Sequence, residues 1–300
     1  MQFANRALPP AAAALAVLLC ASWGFNQVAI KLALPEIPPL IQAAFRSTGA
    51  ALVVVLWARL RGVSLLKSPG TLVPGIIAGA LFALEFVLIF RGLLFTAATR
   101  ASVFIYTAPF FVVIGARWFL PVERFDRMQW VGLLLSFAGI VVAFGVPTPG
   151  GDPRELLGDI TLLGAGAAWG ATTVVIKGTR LAQAPSEEIL LYQLIVSAPV
   201  LIVLAFLAGE RMHGQPSAIP LGSLLYQTIW VVALTYMAWF ALIARYSASR
   251  LSVFTFLTPL FGVAAGHFVL GEPLTGGFAT AAALVVLGLV LVNRTSVSGE

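Results

Sequence analysis

Two ionisable residues, Arg46 and Glu85, stand inside long apolar segments. A charge at membrane depth is costly, so such groups face a bundle interior or a watery cavity and take a partner there. On the helix spans given below, Arg46 lies about 8 and Glu85 about 7 residues from the outer ends of their helices, roughly 10 to 12 Å at 1.5 Å per residue. The shared depth predicts an ion pair in the outer half, and Glu85 is also a candidate for proton coupling. Aromatic residues with a polar handle occur at similar depth: Tyr106, Trp169, Tyr192, Tyr236 and Trp239. A cavity lined by such rings offers apolar contact and a few fixed hydrogen bonds, which suits an amphipathic small molecule. Packing within the bundle explains each ring equally well, whereas Trp57, Trp118 and Trp130 fit membrane-interface belts.

Pro109 and Pro259 lie near the middles of two apolar segments, and each removes an N–H and obstructs the carbonyl one turn back. Both helices are expected to kink, and carbonyls freed in a membrane must face protein or a cavity. Tyr106 precedes Pro109 by one helical turn and Thr258 directly precedes Pro259, so polar groups flank both bends. Lys31 and Lys177 end their helices and are expected to snorkel to the interface. His267 reads as a hydrogen-bonded residue near a helix end. Gly75-x-x-x-Gly79, Gly166-x-x-x-Gly170 and Gly262-x-x-x-Gly266 leave flat strips for close helix packing.

The elements that must position these residues follow from composition. The chain is 60% hydrophobic and 10% charged, against about a quarter charged in soluble proteins. It is therefore an integral membrane protein, and its +6 net charge, dispersed over short connections, reports topology rather than nucleic-acid binding. Cys20 is the only cysteine, which excludes a disulfide framework. The start of the chain, Arg6 followed by an apolar run, is read as the first helix rather than as a signal peptide. Crossing a ~30 Å hydrocarbon core takes about 20 helical residues. The apolar runs place ten helices at 10–32, 38–60, 71–92, 97–119, 128–146, 157–178, 187–208, 221–244, 249–270 and 274–293.

Shifted by 150 positions, the chain repeats itself: Arg100, Ser102, Val103, Phe104, Pro109, Phe111 and Val113 recur as Arg250, Ser252, Val253, Phe254, Pro259, Phe261 and Val263. A shift of 146 superposes Trp23-Gly24 and Ile30-Lys31 on Trp169-Gly170 and Ile176-Lys177. Under the first shift Glu85 falls on Thr235, so the acid breaks the symmetry. The expected domains are residues 8–146 and 157–294, five helices each, joined by a Pro- and Gly-rich linker at 147–156. Five spans per unit invert the second copy, giving all-α inverted repeats around a central cavity, an arrangement of carriers. Arg6, Arg59, Arg61, Lys67, Arg117, Arg124, Arg127, Lys177, Arg180, Arg245, Arg250 and Arg294 fall on one face and outnumber Lys31, Arg91, Arg100, Arg154 and Arg211 on the other, which places both termini in the cytoplasm.

The Trp-Gly pairs early in helices one and six, Ala-x-Phe-Arg at 43–46, and Ser102 to Pro109 and Ser252 to Pro259 followed by Glu123 and Gly271-Glu272-Pro273 resemble the paired EamA-type signature of the drug/metabolite transporter superfamily. Within it the chain is most similar to YddG-type exporters of aromatic and other amino acids. The resemblance implies export of neutral amino acids from the cytoplasm across a bacterial inner membrane through a cavity closed alternately at either face. It implies substrate contacts by Tyr106, Trp169, Tyr236 and Pro259, joined on depth by Trp239 and Thr258. Expected partners are the small-molecule substrate and the lipid bilayer; no nucleic acid, cofactor or metal is expected, and a monomer is one expectation. Carriers of drugs or other metabolites, a channel and a membrane-embedded enzyme remain alternatives. The last lacks a Walker A loop, HExxH or GxSxG, and His213 and His267 are too few for a histidine-based metal cluster.

Overall fold

A computed structural model describes residues 8–93, 95, 103–120, 123–145, 153–212, 214–271, 274 and 276–294. Arg6, Arg100, Ser102, His213, Glu272, Pro273 and most of the 147–156 linker lie outside the described residues. Those described form ten apolar helices: α1 Pro10–Ala33, α2 Pro39–Leu60, α3 Leu72–Leu93, α4 Val103–Phe119, α5 Arg127–Phe144, α6 Pro153–Gly178, α7 Ser186–Leu207, α8 Ala218–Arg245, α9 Ala248–Leu270 and α10 Phe278–Asn293. Eight of them are long and apolar enough to cross a membrane, and α4 and α10 are shorter apolar helices. Proline at the first turns of α1 and α2 fits there because those N–H groups have no intrahelical acceptor. Proline also opens α6, which begins four residues before the expected 157.

Helix packing is nearly unchanged when each helix of the first five is exchanged with its counterpart five places on. α1 packs on α9 as α6 packs on α4, α3 on α6 as α8 on α1, and α2 on α8 as α7 on α3. The pairs α2–α7, α4–α9 and α5–α10 map onto themselves. Matched glycines make the matched contacts. A Cβ on Gly24 would lie 2.6 Å from Phe261 Cβ, and a Cβ on Gly170 would lie 2.6 Å from Phe111 Cβ, so only glycine lets these backbones approach. Gly75 and Gly79 similarly receive Tyr192 and Val196 of α7, which makes that strip static bundle packing. α5 and α10 lean on each other through Gly132, Gly139 and Gly288.

The helices of Pro109 and Pro259 are interrupted where expected, whereas α7 runs through its interior Pro199 without a break. α4 leaves α geometry at Tyr106–Thr107 and α9 at Thr255–Phe256, each just before its proline. Three-residue hydrogen bonds carry the chain across each bend, Phe110 N–H to Thr107 O at 2.9 Å and Thr258 N–H to Thr255 O at 3.0 Å. A third irregularity has no proline: α8 is wound as a π-helix over Tyr226–Thr235, in a segment whose counterpart in α3 is regular.

Candidate functional site

The π-wound stretch and the two bends border one central cavity of about 730 Å³. Eight of the residues singled out by type and depth line it: Arg46, Glu85, Tyr106, Trp169, Tyr236, Trp239, Thr258 and Pro259. Pro109 does not reach this cavity; it is buried beside the α4 bend, facing Trp169 and Trp239 across a small crevice. Tyr192 is also absent from the wall. It is buried against Gly75, and its hydroxyl lies 3.3 Å from Thr71 Oγ1, so it belongs to the α3–α7 contact. His267 occupies the last turn of α9 beside Phe268.

Much of the cavity wall is aromatic. Trp23, the partner of Trp169 in the repeat, meets Tyr236 and Trp239 edge-on with centroids 5.7 and 5.2 Å apart. Tyr106 and Trp169 meet in the same way at 5.9 Å. Edge-to-face pairs fix ring orientations while leaving ring faces free for a ligand. Trp23 is held in place by its Nε1–H, which donates to Thr235 Oγ1 at 2.7 Å, and Thr235 in turn donates to Val231 O.

The wall also carries polar groups, and most of them escape a search for charges alone. Asn26 and Gln27 on α1, Gln42 on α2, Gln193 on α7 and Gln227 on α8 line it together with Arg46 and Glu85. Gln227 Nε2 donates to Gln42 Oε1 at 3.1 Å, and Gln42 Nε2 donates to Ile37 O at 2.8 Å. Asn26 Oδ1, Gln227 Oε1 and Arg46 Nε are buried without a hydrogen-bond partner among the described residues. The Arg46 guanidinium lies over the Phe86 ring, 5.0 Å from its centroid. Its charge acts on Glu85, but no contact within 4.0 Å joins the two. The ion pair expected from depth is thus open here, with the guanidinium held on an aromatic face instead.

The cavity reaches one face only. Its lining extends to Lys31, Leu34, Ile89 and Phe144, at the ends of α1, α3 and α5. Toward the opposite face, α6 packs on the end of α8, whereas α1 and α3 make no comparable contact among the described residues. Lys177 Nζ locks the closed side by donating to Ala244 O at 3.2 Å and Tyr246 O at 2.7 Å. Next to it, Glu123 at the foot of α4 accepts from Ser247 Oγ, Ala248 N–H and Ser249 N–H, capping the N-terminus of α9. Among the described residues no group of three or more His, Cys, Asp or Glu side chains is placed to hold a metal.

A cavity bounded by two inverted repeats and open at one face is the geometry of a carrier, and the relatives of this chain agree with it. YvbV of Bacillus subtilis, an uncharacterized transporter, is 30% identical over 95% of this chain and 92% of its own length. A Salmonella typhimurium protein named "Probable amino-acid metabolite efflux pump" is 30% identical over 95% of this chain and 98% of its own. A namesake in Escherichia coli is 28% identical over 92% and 93%. A crystal structure 22% identical in sequence superposes with a TM-score of 0.78, covering 92% of this chain and 93% of the other, which shows a shared fold. Residues 10–145 and 156–294 each match the EamA-like transporter family, and the chain belongs to that family of multi-pass membrane transporters.

Proposed function

We propose that this transporter exports aromatic and other neutral amino acids from the cytoplasm by alternating access, with both termini cytoplasmic in a bacterial inner membrane. The observation that carries this reading is the mixed wall of the cavity, where aromatic rings and polar and charged side chains line one space. An amino acid with an apolar side chain offers both kinds of surface. Tyr106, Trp169, Tyr236, Trp239, Thr258 and Pro259 bind the substrate, the bends at Pro109 and Pro259 serve as hinges, and Arg46 and Glu85 provide the charged pole. The repeats 8–146 and 157–294, joined by the linker at 147–156, rock against each other about the central cavity. On the topology set by Lys and Arg, the open face is extracytoplasmic, so this state is the one that releases exported substrate. The names of the Salmonella and Escherichia relatives support the amino-acid class. Counterflow of labelled amino acids into liposomes containing the purified protein tests it: saturable uptake is expected, and a folded protein that moves none overturns it.

A further inference from the structure

Arg46 is only 7% exposed, yet its Nε has no hydrogen-bond partner among the described residues and its guanidinium rests on a ring rather than on the acid it attracts. Glu85, on the neighbouring wall of the same cavity, is likewise out of contact with Arg46. Opposite charges at this depth normally close on each other, because a buried charge such as Arg46, left alone, forfeits its hydrogen bonds in a low dielectric, while the half-buried Glu85 faces the cavity. The acid is not demanded by the architecture either. Thr235, its repeat counterpart, satisfies the same position as a neutral residue bonded to Trp23 and Val231.

Resting on the amino-acid reading above, we propose that Arg46 and Glu85 are the two jaws of a zwitterion clamp. The Arg46 guanidinium takes the substrate carboxylate and the Glu85 carboxylate takes its α-ammonium, while the side chain lies toward Tyr106 and Trp169. A zwitterion gives the guanidinium and the carboxylate a partner each at once and leaves the net charge of the cavity unchanged. An amine without a carboxylate meets Glu85 but leaves Arg46 unpaired and is repelled by it; a carboxylate without an amine has the reverse problem. The buried carbonyl oxygens of Asn26 and Gln227, which line the same cavity without a partner among the described residues, are further acceptors for an ammonium.

The test is counterflow of labelled L-phenylalanine against unlabelled L-phenylalanine, phenethylamine and 3-phenylpropionate. On the wild-type protein L-phenylalanine should compete at least about tenfold better than either analogue, the discrimination one charge-assisted hydrogen bond supplies. Arg46→Gln should lower competition by L-phenylalanine to that of phenethylamine, and Glu85→Gln to that of 3-phenylpropionate. Lys31→Gln, at the mouth of the cavity, should keep the wild-type order. Equal competition by all three ligands at the wild-type protein overturns the clamp without any variant, even where a variant does not fold. Loss of discrimination in Lys31→Gln with Arg46→Gln unaffected overturns it as well. No phenylalanine flux through folded wild-type protein is a different result, which overturns the amino-acid reading and the clamp with it.

Discussion

The ammonium of Lys177 sits 2.7 Å from the backbone carbonyl oxygen of Tyr246, tying the end of α6 to the turn between α8 and α9. This bond and its companion to Ala244 O close one face of the cavity while the other stands open. Charge-assisted hydrogen bonds of this kind contribute about 1.5–3 kcal/mol when buried, and less where solvent reaches, as at this half-buried lysine.

Lys177→Met should therefore shift the population toward opening on this face by roughly fivefold or more. Labelling of a cysteine placed at Thr173, in a Cys20→Ser background, should quicken from that face, and Lys177→Arg should largely restore the slow rate. An unchanged labelling rate in Lys177→Met would show that the closed face is held by other contacts.

Gly24→Ala places a methyl group 2.6 Å from Phe261 Cβ and 2.7 Å from Thr258 O, so α1 and α9 must part. Overpacking of this kind destabilises by about 1–3 kcal/mol. The thermal midpoint in detergent should fall by several degrees, whereas Gly222→Ala, where nothing lies within 4 Å, should leave it in place.

The bends before Pro109 and Pro259 lead to an expectation about rate rather than fold. Pro259→Ala returns an N–H to α9 and removes the ring that obstructs the preceding turn. Transport should slow by roughly tenfold, equivalent to about 1.4 kcal/mol on the switching barrier, while expression and thermal midpoint hold or rise. Pro109→Ala should act in the same direction. Unchanged transport in both variants would make the bends static.

Most of this architecture can be read from the chain because a bilayer leaves few options. Apolar runs of spanning length become helices: all ten stop within two residues of their expected last residue, and α1, α2, α3, α5, α7 and α9 match within two at both limits, whereas α4 is described only from Val103, α6 and α8 begin earlier than expected and α10 begins later. The repeat aligned Trp23-Gly24 with Trp169-Gly170, and the reason lies in the glycines, each of which admits a partner helix so that the adjacent tryptophan reaches the cavity. The amide wall of Asn26, Gln42, Gln193 and Gln227 was harder to see. Single amides carry no charge, and only the fold brings residues of four helices together; the usable signal was an uncharged but polar residue deep within each apolar run. The π-wound stretch of α8 left no mark in composition, since i→i+5 winding depends on neighbours rather than propensity. Tyr192 looked like a wall residue by depth, but depth does not fix the direction a side chain faces.

Outside the membrane, Glu36 accepts from Ser217 N–H at 2.5 Å and Ser217 Oγ–H at 2.7 Å, linking the α1–α2 connection to the start of α8. These bonds, the backbone one foremost, hold its carboxyl below the ordinary value of 4.5. A depressed value means that the link is fully present above pH 4.5 and is lost as pH falls through the lower folded-state value. Protection of the Ser217 amide, corrected for intrinsic exchange, should stay level from neutral pH down to about 4.5 and decline below it. In Glu36→Gln that decline should vanish; a profile identical to wild type would assign it to another group.

The most direct test of the central claim is counterflow uptake of radiolabelled phenylalanine into liposomes containing the purified protein, at equal pH on both sides of the membrane. Saturable uptake driven by phenylalanine loaded inside, competed by other aromatic amino acids and reduced about tenfold or more by Trp169→Ala, is the predicted result. Folded protein that carries no amino acid would contradict it.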